Sequence, residues 1–126
     1  MLADFKPMAF LATTDAARSR AFYEGVLDLR FVSEDDFAVV YDIRGIELRL
    51  QKVRELMPQP HTVLGWSVEG IEKVVRDIAV RGGRFARFPQ LEQDAAGIWR
   101  SPSGARIAWL RDPDGNLLSL TEKPAV

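Results

Sequence analysis

Apolar and polar positions along this chain follow two different periods, and the places where the period changes mark out its elements. Met8-Ala9-Phe10-Leu11-Ala12 is a short, mostly apolar run that ends in Thr13-Thr14-Asp15, residues suited to helix entry. Asp15 or Thr14 can accept from the orphan amides of a first helical turn. Ala17, Ala21, Phe22 and Val26 then recur at helical spacing, which assigns Phe22 to the core. Leu29 to Val32 reads as a strand, and Phe37 to Asp42 with Ile46 to Gln51 as a hairpin. Beginning at Val63, 55 positions after Met8, the same succession returns. Val63 to Gly70 is the entry strand, and Ile71, Val74, Val75, Ile78 and Ala79 fall at i, i+3, i+4, i+7 and i+8 of a helix. Gly82-Gly83 permits a left-handed stop. Arg84 to Phe88 is then expected as a strand, and Arg106 to Arg111 with Leu117 to Thr121 as a hairpin. Its turn, Asp112-Pro113-Asp114-Gly115, carries its own chemistry. Pro113 presets φ at the first central position, Asp114 tolerates the second, and Gly115 takes a left-handed position.

The pattern is therefore a duplication: an α+β chain of two tandem βαβββ modules. Module one covers residues 8–52, a proline-bearing linker 53–61 (Pro58, Pro60), and module two 62–122, together one domain over 1–126. With 126 residues, 47% of them hydrophobic and 28% charged, the chain can bury one core of useful size. A formal charge of −1, with the seventeen basic residues scattered, argues against a nucleic-acid partner. The chain has no cysteine, which excludes disulfides, thiol nucleophiles and Cys-bound metals. No apolar run is long enough to span a bilayer, so no membrane partner is expected. Met1 to Pro7 lacks the basic start and apolar stretch of a signal peptide, and the expected compartment is the cytoplasm.

The paired modules, the runs TTDAARSRAFYEGVLDLRFV and GWSVEGIEKVVRDIAVRGGRF, and the closing DPDGNLLSLTE resemble the vicinal oxygen chelate superfamily, the group of glyoxalase I, bleomycin-resistance proteins and extradiol dioxygenases. The resemblance covers nearly the whole chain, from about residue 8 to about residue 122. Among its members the chain is most similar to small bacterial proteins of the glyoxalase/bleomycin-resistance type. The resemblance implies that the modules' sheets curve around an open cleft with the helices outside, and that the protein is a homodimer. Open edges at the first strand of each module agree with the latter. It also implies four metal-ligand positions facing the cleft, usually two His and two carboxylates. Carried onto this sequence, they fall at Met8, Arg49, Val63 and Ser119. A thioether, a guanidinium, an isopropyl group and a hydroxyl are not a divalent-metal set, so neither a metal nor another cofactor is expected. Glu47, two residues before Arg49, could supply one ligand. His61, the only histidine, lies in the linker beside Pro60.

Strand alternation from those positions sends Met8, Phe10 and Ala12 toward the cleft, with Val63, Gly65 and Ser67. Phe37, Val39, Glu47, Arg49 and Gln51 are expected to share that side in module one, and Ile107, Trp109, Leu117, Ser119 and Thr121 in module two. Trp66 then faces the helix. Pairing across the turn at Ser101 to Gly104 could put Trp99 on either face. The candidate ligand-binding residues are thus Phe10, Phe37, Glu47, Arg49, Gln51, Trp99, Trp109, Ser119 and Thr121, lining a largely apolar small-molecule site. Arg49 either clamps a carboxylate or phosphate of the ligand or pairs with an acid such as Glu47. Glu34-Asp35-Asp36 reads as a solvated turn. Two functions follow. One is metal-free binding of a mostly apolar or aromatic small molecule. The other is a glyoxalase-like lyase or isomerase, or a dioxygenase-type enzyme, with an unorthodox or absent metal site. In its metal-free form Glu47 is the candidate base. Capture of a cationic drug such as bleomycin suits a strongly acidic cleft, which Arg49 opposes.

Overall fold

Both modules are built as four-stranded mixed sheets with a helical segment on one face. The computed structural model describes residues 1–125 and forms two compact units that divide between Met57 and Pro58. The first unit contains β1 (Met8–Thr13), α1 (Ala16–Arg20), β2 (Arg30–Glu34), β3 (Ala38–Ile43) and β4 (Ile46–Lys52). Its sheet order is β1-β4-β3-β2, with β1 parallel to β4 and the other pairs antiparallel. Asp15 caps α1 by accepting from the Arg18 amide at 3.0 Å. The helix widens at once into a π-type turn over Ala21–Val26, in which the Leu27 amide donates to Phe22 O.

The face of this sheet that meets the helix carries Leu11, Thr13, Val39, Tyr41, Leu48 and Leu50, all buried. Ser19 and Tyr23 meet it from the helical segment, and Phe22 does not belong to the core: Tyr23 is fully buried, while Phe22 is half-buried at its edge. The alanines that suggested the other face bring little apolar area, and the large Tyr23 ring decides which side turns inward. Its ring lies 5.9 Å from that of Tyr41. At the rim, Glu24 accepts from Arg20 Nε at 2.7 Å and from the Tyr41 hydroxyl at 2.9 Å. The Arg20 hydrogen bond, then that of Tyr41, holds the Glu24 carboxyl below the usual carboxylate range. Burial, followed by the bond to Glu24, pushes the Tyr41 phenol well above its ordinary value. The acidic turn is more than a solvated one. Glu34 bridges Arg20 and Lys52, and Asp35 accepts from the amides of Phe37 and Ala38. The β3–β4 hairpin closes on Arg44 (φ 55) and Gly45 (φ 88), a two-residue left-handed turn whose twist matches its strands.

The second unit contains β5 (Thr62–Ser67), α2 (Ile71–Val80), β6 (Trp99–Arg100), β7 (Arg106–Arg111) and β8 (Leu117–Glu122), ordered β5-β8-β7-β6. Ile71, Val75 and Ile78 are the buried face of α2. The helix ends as the glycines predict: Gly82 takes φ 102 and the Gly83 amide donates to Ile78 O. At the β7–β8 turn, buried Asp112 accepts from the amides of Asp114 and Asn116 and from Asn116 Nδ2. Gly115 takes its left-handed φ of 90.

The strand expected over Arg84 to Phe88 does not form. Phe85 makes one bridge to Leu110 and the Ala86 amide donates to Trp109 O at 2.7 Å. Pro89, which has no amide to donate, follows at once. The strand position beside β7 is filled instead by β6, two residues from the segment that sequence reasoning left unplaced.

Glu122, at the end of β8, reaches across to α2 and accepts from the amides of Gly70 (2.8 Å) and Ile71 (3.4 Å), while Arg106 bridges it to Glu72. The Gly70 amide first, with Ile71 and Arg106 adding to it, draws the Glu122 carboxyl below its ordinary 4.5. A carboxyl whose folded pKa is depressed adds stability that is present above the unfolded value and lost as pH falls through the folded one. In wild type, the melting temperature should fall as pH drops below about 4.5. In Glu122→Gln it should already be lower at neutral pH, with a shallower acid limb, as thermal scans across pH would record. An unchanged acid limb would remove Glu122 from that account.

Candidate functional site

With the helices on one face, each sheet has a second face that its own helix does not cover. In the first unit the register sets Met8 beside Glu47, Phe10 beside Arg49 and Ala12 beside Gln51. On the other side of β4, Asp42 stands opposite Glu47, Val40 opposite Arg49 and Ala38 opposite Gln51. Phe10, Glu47, Arg49 and Gln51 are thus brought together as expected. Val39 is not: it pairs with Leu50 and is buried on the helix side. Phe37 shares the phase of Val39, precedes β3 and is 76% exposed. The correction follows from the hairpin. A two-residue turn at Arg44-Gly45 places Asp42 opposite Glu47, and counting back two residues reaches Val40, not Val39. Reading Arg44-Gly45 as that turn would have found Val40 and Asp42 in the sequence.

Arg49 Nη1 lies 3.1 Å from Glu47 Oε2, the acid pairing that is one of the two roles expected for it. The guanidinium side chain is 27% exposed and the carboxylate side chain 42%. Beside them a recess of about 310 Å³ is lined by Met8, Val32, Val40, Asp42, Glu47 and Lys6, among others. Its lining mixes the apolar Met8, Val32 and Val40 with the charged Lys6, Asp42 and Glu47.

In the second unit the helix-free face holds a different surface. Trp109 stands opposite Ser119 and Ile107 opposite Thr121, with Gly65 and Ser67 next to Ser119 and Thr121 on β5. Trp99 pairs with Ile107, which resolves its open register in favour of the Trp109 face. The two indoles lie 6.0 Å apart at an interplanar angle of 35°. Phe88, which sequence reasoning did not select, stands edge-on to Trp109 at 5.4 Å and 86°. All three rings are half-buried. Trp66 pairs with Leu120 in the phase of the helix side, as alternation predicted. A Cβ on Gly65 would come within 2.7 Å of Ser119 Oγ, so glycine there keeps room for the hydroxyl.

The positions that the family resemblance points to for a metal hold Met8 and Arg49 in the first unit and Val63 and Ser119 in the second. Their donors do not fit a divalent cation. Val63 falls in the irregularity between Thr62 and Leu64 of the β5–β8 pairing, and His61 is exposed. Among the described residues no three His, Asp or Glu side chains group so as to hold a metal ion. No helix among them is long and apolar enough to cross a membrane.

The sequence model of a family described as a glyoxalase-like domain matches residues 8–121. No curated protein sequence matches significantly. Among solved structures, the chain is similar to a glyoxalase family protein from Enterococcus faecalis at 18% identity and a TM-score of 0.74, covering 97% of this chain and 100% of that one. It is similar to a bleomycin resistance determinant encoded on the transposon Tn5, at 20% identity and a TM-score of 0.74, covering 96% and 99%. A lactoylglutathione lyase from Agrobacterium tumefaciens gives 16% identity and a TM-score of 0.72, covering 94% and 93%. These likenesses establish a shared two-module fold.

Proposed function

We propose, from the premise that the chain belongs to the glyoxalase-like family of the vicinal oxygen chelate superfamily, that it binds a small, mostly apolar or aromatic molecule without a divalent metal. The observation that carries this reading is the tryptophan pair Trp99–Trp109, two large flat rings left half-exposed on a sheet face that α2 does not cover. Large rings with a polar N–H at their edge suit contact with a ligand that is apolar over most of its surface. Ser119 and Thr121, in register with Trp109 and Ile107, add hydroxyls at fixed positions. The first unit has an apolar surface of its own, with Phe10 at 52% exposure and Met8, Val32 and Val40 lining its recess. The metal positions carry no lone-pair set for Lewis-acid chemistry, so no step is routed through a metal. A second copy of the chain is part of the proposal, because β1 and β5 are edge strands of their sheets.

In the competing reading, catalysis with Glu47 as base, the carboxylate is held by Arg49 through Oε2 at 3.1 Å. Compounds that shift tryptophan fluorescence are to be incubated with wild type and with Glu47→Gln, with and without added Zn²⁺ or Ni²⁺, and the mixtures followed by mass spectrometry. Binding by both proteins and conversion by neither is expected. Turnover by wild type that disappears in Glu47→Gln would replace the binding reading by an enzymatic one.

A further inference from the structure

We infer that Gln93 is the positioning residue of the aromatic site and makes it selective for planar rings over aliphatic ones of similar size. The inference rests on the binding reading for its ligand, but its geometric half stands on the fold alone. Residues 84–98 have almost no regular secondary structure, yet they place one wall of the site. Gln93 holds them with a single side chain. Its Oε1 accepts from the Phe88 amide at 2.8 Å, and its Nε2 donates to Ala86 O at 2.9 Å and to Gly97 O at 2.8 Å. One amide thus ties the arm leading into Phe88 to the arm leading into Trp99, and all three bonds use its full planar geometry. Its backbone bridges directly to Trp99.

The result is a ring edge and two ring faces at set angles: Phe88 perpendicular to Trp109, and Trp99 tilted by 35° from it. Aromatic contacts favour offset-stacked and edge-to-face arrangements, so this arrangement rewards a flat ring with a π face. An aliphatic ring of equal area gains only its burial. Loosening the loop should therefore cost selectivity more than affinity for apolar matter in general.

The test uses the full chain, with indole as the planar probe and cyclohexanol as the aliphatic one, titrated by calorimetry. Wild type should prefer indole by about tenfold, the scale of one or two aromatic contacts. Gln93→Leu, which keeps the bulk and loses all three bonds, should bring the two affinities within about threefold of each other. The far-ultraviolet exciton couplet of the Trp99–Trp109 pair should weaken in the same variant while the remaining secondary-structure signal is retained. Gln93→Glu keeps the acceptor for the Phe88 amide but sets a carboxylate oxygen against the Ala86 and Gly97 carbonyls; it should lose selectivity at least as far as Gln93→Leu and supplies the comparison if Gln93→Leu does not fold. An unchanged couplet and unchanged selectivity in both variants would overturn the role of Gln93. A wild type that binds neither probe would instead remove the apolar-ligand reading, and the couplet alone would then decide whether Gln93 sets the rings.

Discussion

Replacing Tyr23 with alanine should destabilise the protein by about 3–5 kcal/mol, the range for deleting a fully buried aromatic ring. Tyr23 has no exposed surface, and its ring contacts Phe22 at 5.1 Å and Tyr41 at 5.9 Å. The residue sits in a π-type turn, and Tyr41 is held in β3. A cavity there has little means to collapse, since neighbouring Leu48 and Leu50 are strand residues fixed in register on both sides. Domains typically have about 5–15 kcal/mol in all, so the loss should appear as a large drop in the chemical-denaturation midpoint, with the slope of the transition unchanged. Phe22→Ala, at the edge of the same cluster, should cost clearly less. Equal losses would mean that the two rings share the core. The sequence periodicity would then have been right about Phe22.

Trp109→Ala should weaken binding of a planar aromatic ligand by about thirtyfold, or roughly 2 kcal/mol, the scale of an aromatic hot spot. Trp109 is the shared neighbour of the site: Phe88 stands perpendicular to it at 5.4 Å and Trp99 lies 6.0 Å away. Truncation removes its own contact and leaves the other two rings without their common support. Trp66→Phe is the control. It lies in the phase of the helix side, paired with Leu120, and should leave ligand affinity unaltered. Calorimetry with indole on the two variants reads the difference. Equal affinities in Trp109→Ala and wild type would place the ligand elsewhere.

The parts of this fold written in local sequence are those where one residue type answers one backbone demand. Asp15 caps a helix, Gly82 ends one, and Gly115 turns a hairpin, each at the position its chemistry suggested. The site was legible wherever alternation runs from a fixed point, as from Met8 to Phe10 and from Trp109 to Ser119. It was lost where a count across a turn was one residue out, which put Val39 for Val40. It was also lost where side chains replace a backbone ladder. Nothing in the run Arg84 to Phe88 announces that Pro89 and Gln93 will convert a strand into a tied loop, and so Phe88 was not foreseen beside Trp109. Phe22 and Tyr23 show a third limit: one wide helical turn changes which of two adjacent rings is inside.

The ion pair on the first sheet also bears on how this chain can change over evolutionary time. Arg49 occupies a position where the family resemblance points to a metal ligand, and its guanidinium neutralises Glu47 at 3.1 Å, with Asp42 directly opposite. An Arg49→Glu substitution by itself would crowd like charges onto neighbouring strand positions, which is destabilising. The pair therefore couples these positions: a tolerated change of charge at Arg49 is expected to need a compensating change at Glu47 or Asp42.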